Sequence, residues 1–360
     1  MKESTKKWLG DIFISQVKNE RAIEAAKTRP WWLALIMFFI GAFLPVIPLM
    51  VTQGNTYGSY FMNQQYKYGF DQSIAEATVQ LEENGYKLEI NNGELLAYKD
   101  GDKLETTWTD SKDETPIIQL ESFVDKVKTV KLAIYYSDRP YSGGEKNIKG
   151  LVTNISKKTY ALGLDRVETY DSNIHKDGSY TPTYLVLYKT GSFASIYKTG
   201  TTTTAYSTYS GYNWKNNTNT ADLIKDLLTV DGINAAEQVT TNLNYVQAIN
   251  KNWSSVFDKA YADQKVISFW AVSGIFYGIF LLLNVFMGFM MWLLTRGKMN
   301  PNRGLKVYTC WWIAGWICVA PGLLAMIVGF IYAPAQQVAF IVLIGLRTMW
   351  LSMRQLNPKY

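Results

Sequence analysis

The sequence predicts an α-helical membrane protein with four transmembrane helices and a large α+β extracytoplasmic domain inserted between helices 1 and 2. Two observations carry this prediction. Long apolar runs lie at residues 31–51, 266–295, 307–332 and 338–353. Charge is segregated around them: every acidic residue precedes residue 264, and Lys265 to Tyr360 hold eight Lys or Arg and no acid. Residues 54–264 carry 21 Lys/Arg and 26 Asp/Glu, a balance of −5, and the remainder carries 15 Lys/Arg and four acids, a balance of +11. A positive excess beside apolar runs marks the cytoplasmic face of a membrane. No basic stripe interleaved with aromatics occurs in residues 54–264, so no nucleic-acid partner is expected.

Residues 1–30 read as a cytoplasmic, basic, amphipathic helix. Trp8, Leu9, Ile12, Phe13 and Val17 fall on one face, and Lys6, Lys7, Lys18 and Arg21 surround it. Trp8, Ile12, Phe13 and Val17 are the expected membrane-surface contacts on the inner leaflet. Docking on a cytoplasmic partner is the alternative. Pro30 ends this helix before Trp31-Trp32, an interfacial pair.

Residues 31–53 form the first span. The uncharged stretch from Trp31 to Val51 has 21 residues, enough at 1.5 Å per residue to cross a hydrocarbon core of about 30 Å. No small-x-small cleavage site follows, so it reads as an uncleaved anchor. Pro45 and Pro48 are expected to kink it.

Residues 54–264 form the α+β domain. A partly helical stretch, Phe61–Gly85, is followed by a hairpin, Tyr86–Ile90 and Glu94–Tyr98, about an Asn-Gly turn. Asp100-Gly101-Asp102 turns into Lys103–Trp108, and further strands are expected at Val130–Tyr136, Lys149–Thr153, Thr183–Tyr188 and Phe193–Lys198. Thr220–Leu228 reads as a short helix. From Asn234, the apolar spacing of Val239, Leu243, Val246, Trp253, Phe257 and Ala260 predicts one helix continuing to Thr295, with no break at the membrane boundary.

Residues 265–295 are the second span, 296–306 a basic cytoplasmic loop, 307–333 the third span, 337–353 the fourth, and 354–360 a cytoplasmic tail. Residues 1–30, the loop with four Lys/Arg and the tail fall on one side only if there are four spans. Charge and span count therefore agree on cytoplasmic termini and an extracytoplasmic 54–264. Asn284 and Arg347 are the candidate intramembrane polar contacts. Arg347 reads either as a side chain reaching the headgroups or as an ion-pair or transport-path residue. Asn284 suits a bond to a neighbouring helix. Gly274 and Gly278, four apart, allow close helix approach, as do Gly41 and Pro45.

Chemistry is sparse. The sole histidine, His175, sits in turn-like sequence, and the only cysteines, Cys310 and Cys318, lie inside an apolar run. No phosphate-cradling, nucleophile-elbow or dinucleotide motif occurs. No catalytic residue, metal site or cofactor is expected, and the chain does not read as an enzyme. A stretch with Tyr197, Tyr206, Tyr209, Tyr212 and Trp214, interrupted by Thr201–Thr204, is the candidate ligand or partner surface. Such rings suit sugar stacking or a peptide groove, and equally an outer-leaflet contact or a Thr/Tyr strand pair.

The order of basic helix, span, outside domain with Asn92-Gly93-Glu94-Leu95 in its hairpin, and three closing spans resembles a bacterial membrane family. It is labelled maltodextrin (maltodextrose) utilisation protein in low-GC Gram-positive bacteria. Pro334, Phe340, Leu346–Met353 and Pro358 resemble that family's closing helix. The resemblance implies a sugar-uptake context and carries no catalytic residues. The expected function is a non-catalytic membrane accessory protein of a bacterial transport or envelope system. Its partners would be the lipid bilayer, a membrane protein or a second copy of itself, and an extracellular glycan. The alternative is a subunit of a membrane transporter.

Overall fold

The computed structural model describes residues 10, 12–63, 70–105, 117–124, 127–138, 140, 183–199, 204–239, 242–298 and 300–356. The chain divides into two compact units, Met1–Thr56 with Val266–Tyr360, and Tyr57–Lys265. In chain order the helices are α1 (Asn19–Thr28), α2 (Trp31–Phe43), α3 (Ile47–Gly54), α4 (Phe70–Glu83), α5 (Leu223–Leu228), α6 (Leu243–Leu294), α7 (Val307–Ile317), α8 (Val319–Ile331) and α9 (Ala335–Arg354). The strands are β1 (Tyr86–Asn91), β2 (Glu94–Lys99), β3 (Asp102–Lys103), β4 (Ile118–Val124), β5 (Val127–Ser137), β6 (Thr183–Tyr188), β7 (Gly191–Thr199), β8 (Thr204–Asn213), β9 (Thr229–Val230) and β10 (Ile233–Asn234).

The first unit is a bundle of apolar helices. Three stretches are long and apolar enough to cross a membrane: Trp31–Gly54, α6 and α9. The pair α7 and α8, bent by 40° at Cys318, makes a fourth if it counts as one span. Side-chain pairs fix the relative directions. Trp31 lies 5.9 Å from Trp312, Gly315 abuts Ala34, Gly322 abuts Gly41, and Gly329 faces Pro48. The numbers rise together, so α2–α3 runs parallel to α7–α8. Phe43 meets Tyr277 at 5.9 Å and Gly54 faces Phe269, so α6 runs the other way. Phe280 packs edge-on against Phe340 at 4.9 Å in the core between α6 and α9. Gly41, Gly315 and Gly322 permit these close approaches, because an added Cβ at each would strike the facing helix. Gly274 and Gly278 do not, since nothing lies within 4 Å of either.

The second unit is α+β. The hairpin β1–β2 closes through Asn92 and Gly93, both at positive φ (50° and 78°), as a primed two-residue turn requires. A five-stranded sheet has the order β4-β5-β6-β7-β8, antiparallel except for the parallel pair β5–β6. Strand β4 lies beyond the sequence expectations, and the expected strand Lys149–Thr153 lies outside the described residues, as does His175. The Asp100-Gly101 turn leads only into the two-residue β3.

Helix α6 starts at Leu243 and not at Asn234. Asp231 and Gly232, both at positive φ, turn β9 back onto β10, and Ala236–Gln238 forms a short 3-10 turn. The backbone before Leu243 is thus committed to a hairpin. Of the expected apolar stripe, Val239, Val246, Trp253, Phe257 and Ala260 are buried, but Leu243 is 66% exposed and Ile249 takes the core position. Trp253 stacks on Phe257 at 5.3 Å, and its indole N–H donates to Thr78 Oγ1 at 2.8 Å. That bond ties the N-terminal part of α6 to α4 inside the core.

Candidate functional site

The aromatic stretch does not form one surface. Backbone register places Tyr197 opposite Tyr206 and Tyr209 opposite Ala194 across β7–β8, which is the strand-pair arrangement. Tyr212 and Trp214 are buried, at 4% and 0% exposure. The Trp214 N–H donates to the Tyr188 carbonyl at 2.8 Å, and the Tyr212 hydroxyl donates to the Gly58 carbonyl. Tyr212 also lies 5.7 Å from Phe257 and 6.0 Å from Phe61. These two rings are core, and their polar atoms are already satisfied, so they are withdrawn as stacking platforms. The register slips between the pairs Ala194–Tyr209 and Ser192–Tyr212, a bulge beside Gly211, whose φ is 90°.

Beside Trp214 the loop opens into a cleft of about 240 Å³ lined by Asn217, Thr218, Thr220, Asp226, Asn252, Ser255 and Lys259 over aliphatic Ile90, Leu223, Leu227 and Val256. Three bonds set the loop that carries Asn217. Asn216 and Asn213 donate to the two oxygens of Asp263 at 2.8 and 3.2 Å, and the Asn217 N–H donates to the Trp214 carbonyl at 3.0 Å. The two amide donors, Asn216 first, hold the Asp263 carboxyl below its ordinary range. Across the cleft, Asp222 caps α5 by accepting from the Lys225 N–H. Asn252 on α6 donates to the Leu227 carbonyl at 3.0 Å.

Hydrogen-bonding capacity inside the cleft is unevenly filled. The side-chain nitrogen of Asn217, a residue 9% exposed, has no partner among the described residues. Lys259 makes one long bond, 3.4 Å to Thr218 Oγ1. Among the acceptors, Asp226 takes the Thr220 hydroxyl on one oxygen, and Asn219 takes the Asn92 N–H at 2.9 Å.

In the first unit, the break between α7 and α8 is the most polar junction. Pro321 has no N–H, so the Ile317 carbonyl four residues earlier loses its helical donor. Arg347 Nη1 replaces it at 2.7 Å. Gln16 inserts its side-chain amide into the next missing bond. It donates to the Trp316 carbonyl at 3.0 Å and accepts from the Ala320 N–H at 3.0 Å. Arg347 also donates to Asn19 Oδ1 at 3.0 Å and to the Ser15 carbonyl at 2.6 Å. Its half-buried guanidinium is therefore held on neutral acceptors.

The N-terminal segment follows from this junction. Ser15, Ala22 and Ala25 are buried, and α1 packs along α7. Phe13 and Val17 are 72% and 83% exposed on the other side, Ile12 is half-buried, and Trp8 lies outside the described residues. The backbone is extended at Lys18, so the expected single helix is two helical segments, 12–17 and α1, which together turn small and amide side chains to the bundle, a feature that apolar spacing alone does not reveal. Asn284 is fully buried, and neither its amide oxygen nor its nitrogen has a partner among the described residues. No three His, Cys, Asp or Glu side chains among the described residues come together as a metal site. No protein-family model, curated protein or solved structure matches the chain.

Proposed function

We propose that this chain is a non-catalytic integral membrane accessory protein of a bacterial transport or envelope system. Its larger unit faces outward and binds a partner or ligand there. The observation that supports this reading is the open cleft of about 240 Å³ with Thr218, Thr220, Asp226, Asn252 and Lys259 in its lining. The four apolar helix stretches supply the anchor, with both termini and the Arg296–Lys306 loop on the cytoplasmic side by the positive-inside rule. The exposed Phe13/Val17 face would lie against lipid or a membrane partner. A sugar-uptake role, with a glycan as ligand, follows from the family resemblance. The test is affinity capture of the whole chain from its native membrane in mild detergent, alongside a glycan-binding screen of the same preparation. A specific partner or glycan, weakened by Lys259→Ala in the cleft, is expected; a preparation that retains neither sinks the reading.

A second reading, a transporter subunit, is favoured by the broken helix at Cys318. Half-helices that meet within a membrane build substrate sites in many carriers. Here the open backbone groups are met by Gln16 and Arg347. Saturable flux in reconstituted vesicles, lost on Arg347→Gln, would select this reading over the first.

A further inference from the structure

We infer that the basic end of the helix bundle is a binding surface for phospholipids of net negative charge, gripped by their phosphates. The inference rests on the proposed membrane placement of the first unit. The ends of α6 and α9 and the start of α7 meet in one core cluster through Met291, Leu351 and Cys310. The loop between α6 and α7 is tied to these ends. Arg296 donates to the Leu305 carbonyl, and Asn302 Nδ2 donates to the Leu356 carbonyl at 2.9 Å. Five cations, Arg296, Lys298, Arg303, Lys306 and Arg354, are thereby gathered at one end. None of them has an ion pair among the described residues. The only acids described in this unit are Glu20 and Glu24 on α1, and Glu24 is taken by Arg21 at 2.8 Å. At the opposite end of the bundle, residues 52–56 and 331–337 carry no charge.

What selects a lipid over a free anion is the depth at which these cations are held. Three lie over aromatic rings. The Arg354 guanidinium is 4.4 Å from the centre of exposed Trp350, that of Arg296 is 4.6 Å from Trp292, and the Lys306 ammonium is 5.6 Å from exposed Tyr308. Trp and Tyr settle at the headgroup level of a bilayer, so each ring holds its cation where lipid phosphates lie. Leu293, Leu294, Met349 and Met353 are exposed beside them and offer apolar surface to the acyl chains. Arg354 makes no hydrogen bond among the described residues. Its five donors are open to phosphate oxygens, which a guanidinium meets two at a time. Salt screens exposed cations from a free anion, whereas an anionic leaflet presents its charges already concentrated at their level.

The full-length protein in neutral detergent, titrated with phosphatidylglycerol, phosphatidylserine and phosphatidylcholine of the same acyl chains, tests this, with bound lipids counted by native mass spectrometry. Both anionic lipids should be retained at least about fivefold more tightly than phosphatidylcholine, the contribution of one basic residue at an anionic surface. Arg354→Gln combined with Lys306→Gln should remove most of that preference. Lys225→Gln combined with Lys251→Gln, an equal change of charge at exposed positions of the other unit, should leave it intact. Arg354→Lys combined with Lys306→Arg keeps both charges and should also keep the preference, which separates charge from folding. Three lipids retained alike overturn the inference, as does a preference that survives the rim Gln pair or is lost equally in the other two variants. Displacement of phosphatidylglycerol by glycerol 3-phosphate at roughly 10 mM would make the surface a general anion site and overturn it too. Carbonate extraction of native membranes separates this inference from the reading beneath it. A chain that stays in the membrane without lipid preference leaves the proposed function standing; a chain that carbonate releases takes both down.

Discussion

The guanidinium of Arg347 donates to the side-chain oxygen of Asn19 at 3.0 Å, linking α9 to a helix 328 positions earlier in the chain. The same group caps the carbonyl that Pro321 leaves without a donor. Apolar surroundings do not compete for hydrogen bonds as water does, so each backbone group freed by a helix break must be met from within. Gln16 and Arg347 meet three of them, which gives residues 12–28 a structural reason to dock on the bundle.

Replacing Arg347 with Leu should therefore destabilise the bundle by about 2–4 kcal/mol, because it strips donors from Ile317, Ser15 and Asn19 together. Arg347→Lys should recover only part, since an ammonium cannot reproduce the planar fork that reaches three acceptors. Gln16→Glu should be worse than Gln16→Ala, because a carboxylate cannot donate to the Trp316 carbonyl. Thermal unfolding in detergent reads all four. Additive losses for Arg347→Leu and Asn19→Ala would show that the two are not coupled.

Helix contacts in the first unit predict a sharp contrast between glycines. At Gly322 an added Cβ meets the backbone carbonyl of Gly41, and at Gly315 that of Ala34. Backbone cannot step aside as a flexible side chain can, so Gly322→Ala should cost on the order of 1–3 kcal/mol as overpacking. Gly278→Ala, with nothing within 4 Å, should be neutral or slightly stabilising by helix propensity. Equal transition temperatures for the two variants would contradict the packing of α2 on α8.

Orientation is read by thiol accessibility. With Cys310 and Cys318 replaced by Ala, single cysteines at Lys225 and Lys298, both exposed, are probed with an impermeant reagent. Lys225→Cys should label in intact cells, and Lys298→Cys only after permeabilisation. Labelling of Lys298→Cys in intact cells would reverse the assignment of the basic loop.

Much of this architecture was legible because the signals were local. The Asn92-Gly93 turn, the short helix within Thr220–Leu228 and the long apolar runs each depend on neighbouring residues. What escaped depended on partners far along the chain. Apolar spacing alone extends α6 back to Asn234, because it gives no weight to the Asp231-Gly232 turn that commits the chain just before it to a hairpin. Trp214 looked like a binding platform until its N–H was found on Tyr188. The cleft had no signature at all: Asn217, Asn252 and Lys259 are ordinary polar residues, brought together by α6 crossing the loop that Asp263 holds. The break at Cys318 did have one, since Pro321 orphans Ile317, but nothing local identifies Gln16 as the group that answers.

The last prediction concerns alkaline stability of the second unit. Tyr136 is fully buried on β5, with its hydroxyl donating to the Leu95 carbonyl at 3.4 Å. Burial disfavours the phenolate and pushes its pKa up from 10.0 to about 12. Below pH 10 both folded and unfolded chains keep the proton, and the contribution is fully present. Between pH 10 and about 12 the unfolded chain releases the proton while the folded chain retains it, so stability falls as pH rises. The slope is at most about 1.4 kcal/mol per pH unit for one group. Tyr136→Phe removes this term and keeps the ring in place. Its stability should decline less steeply than that of the parent chain between pH 10 and 12, although it is lower at pH 8 by roughly 1 kcal/mol for the lost hydrogen bond. Denaturant unfolding of both proteins across that range cancels the background from the other tyrosines, which titrate alike in each. Parallel slopes would mean that the Tyr136 hydroxyl ionises freely in the folded state, and that β5 is not sealed beneath the hairpin.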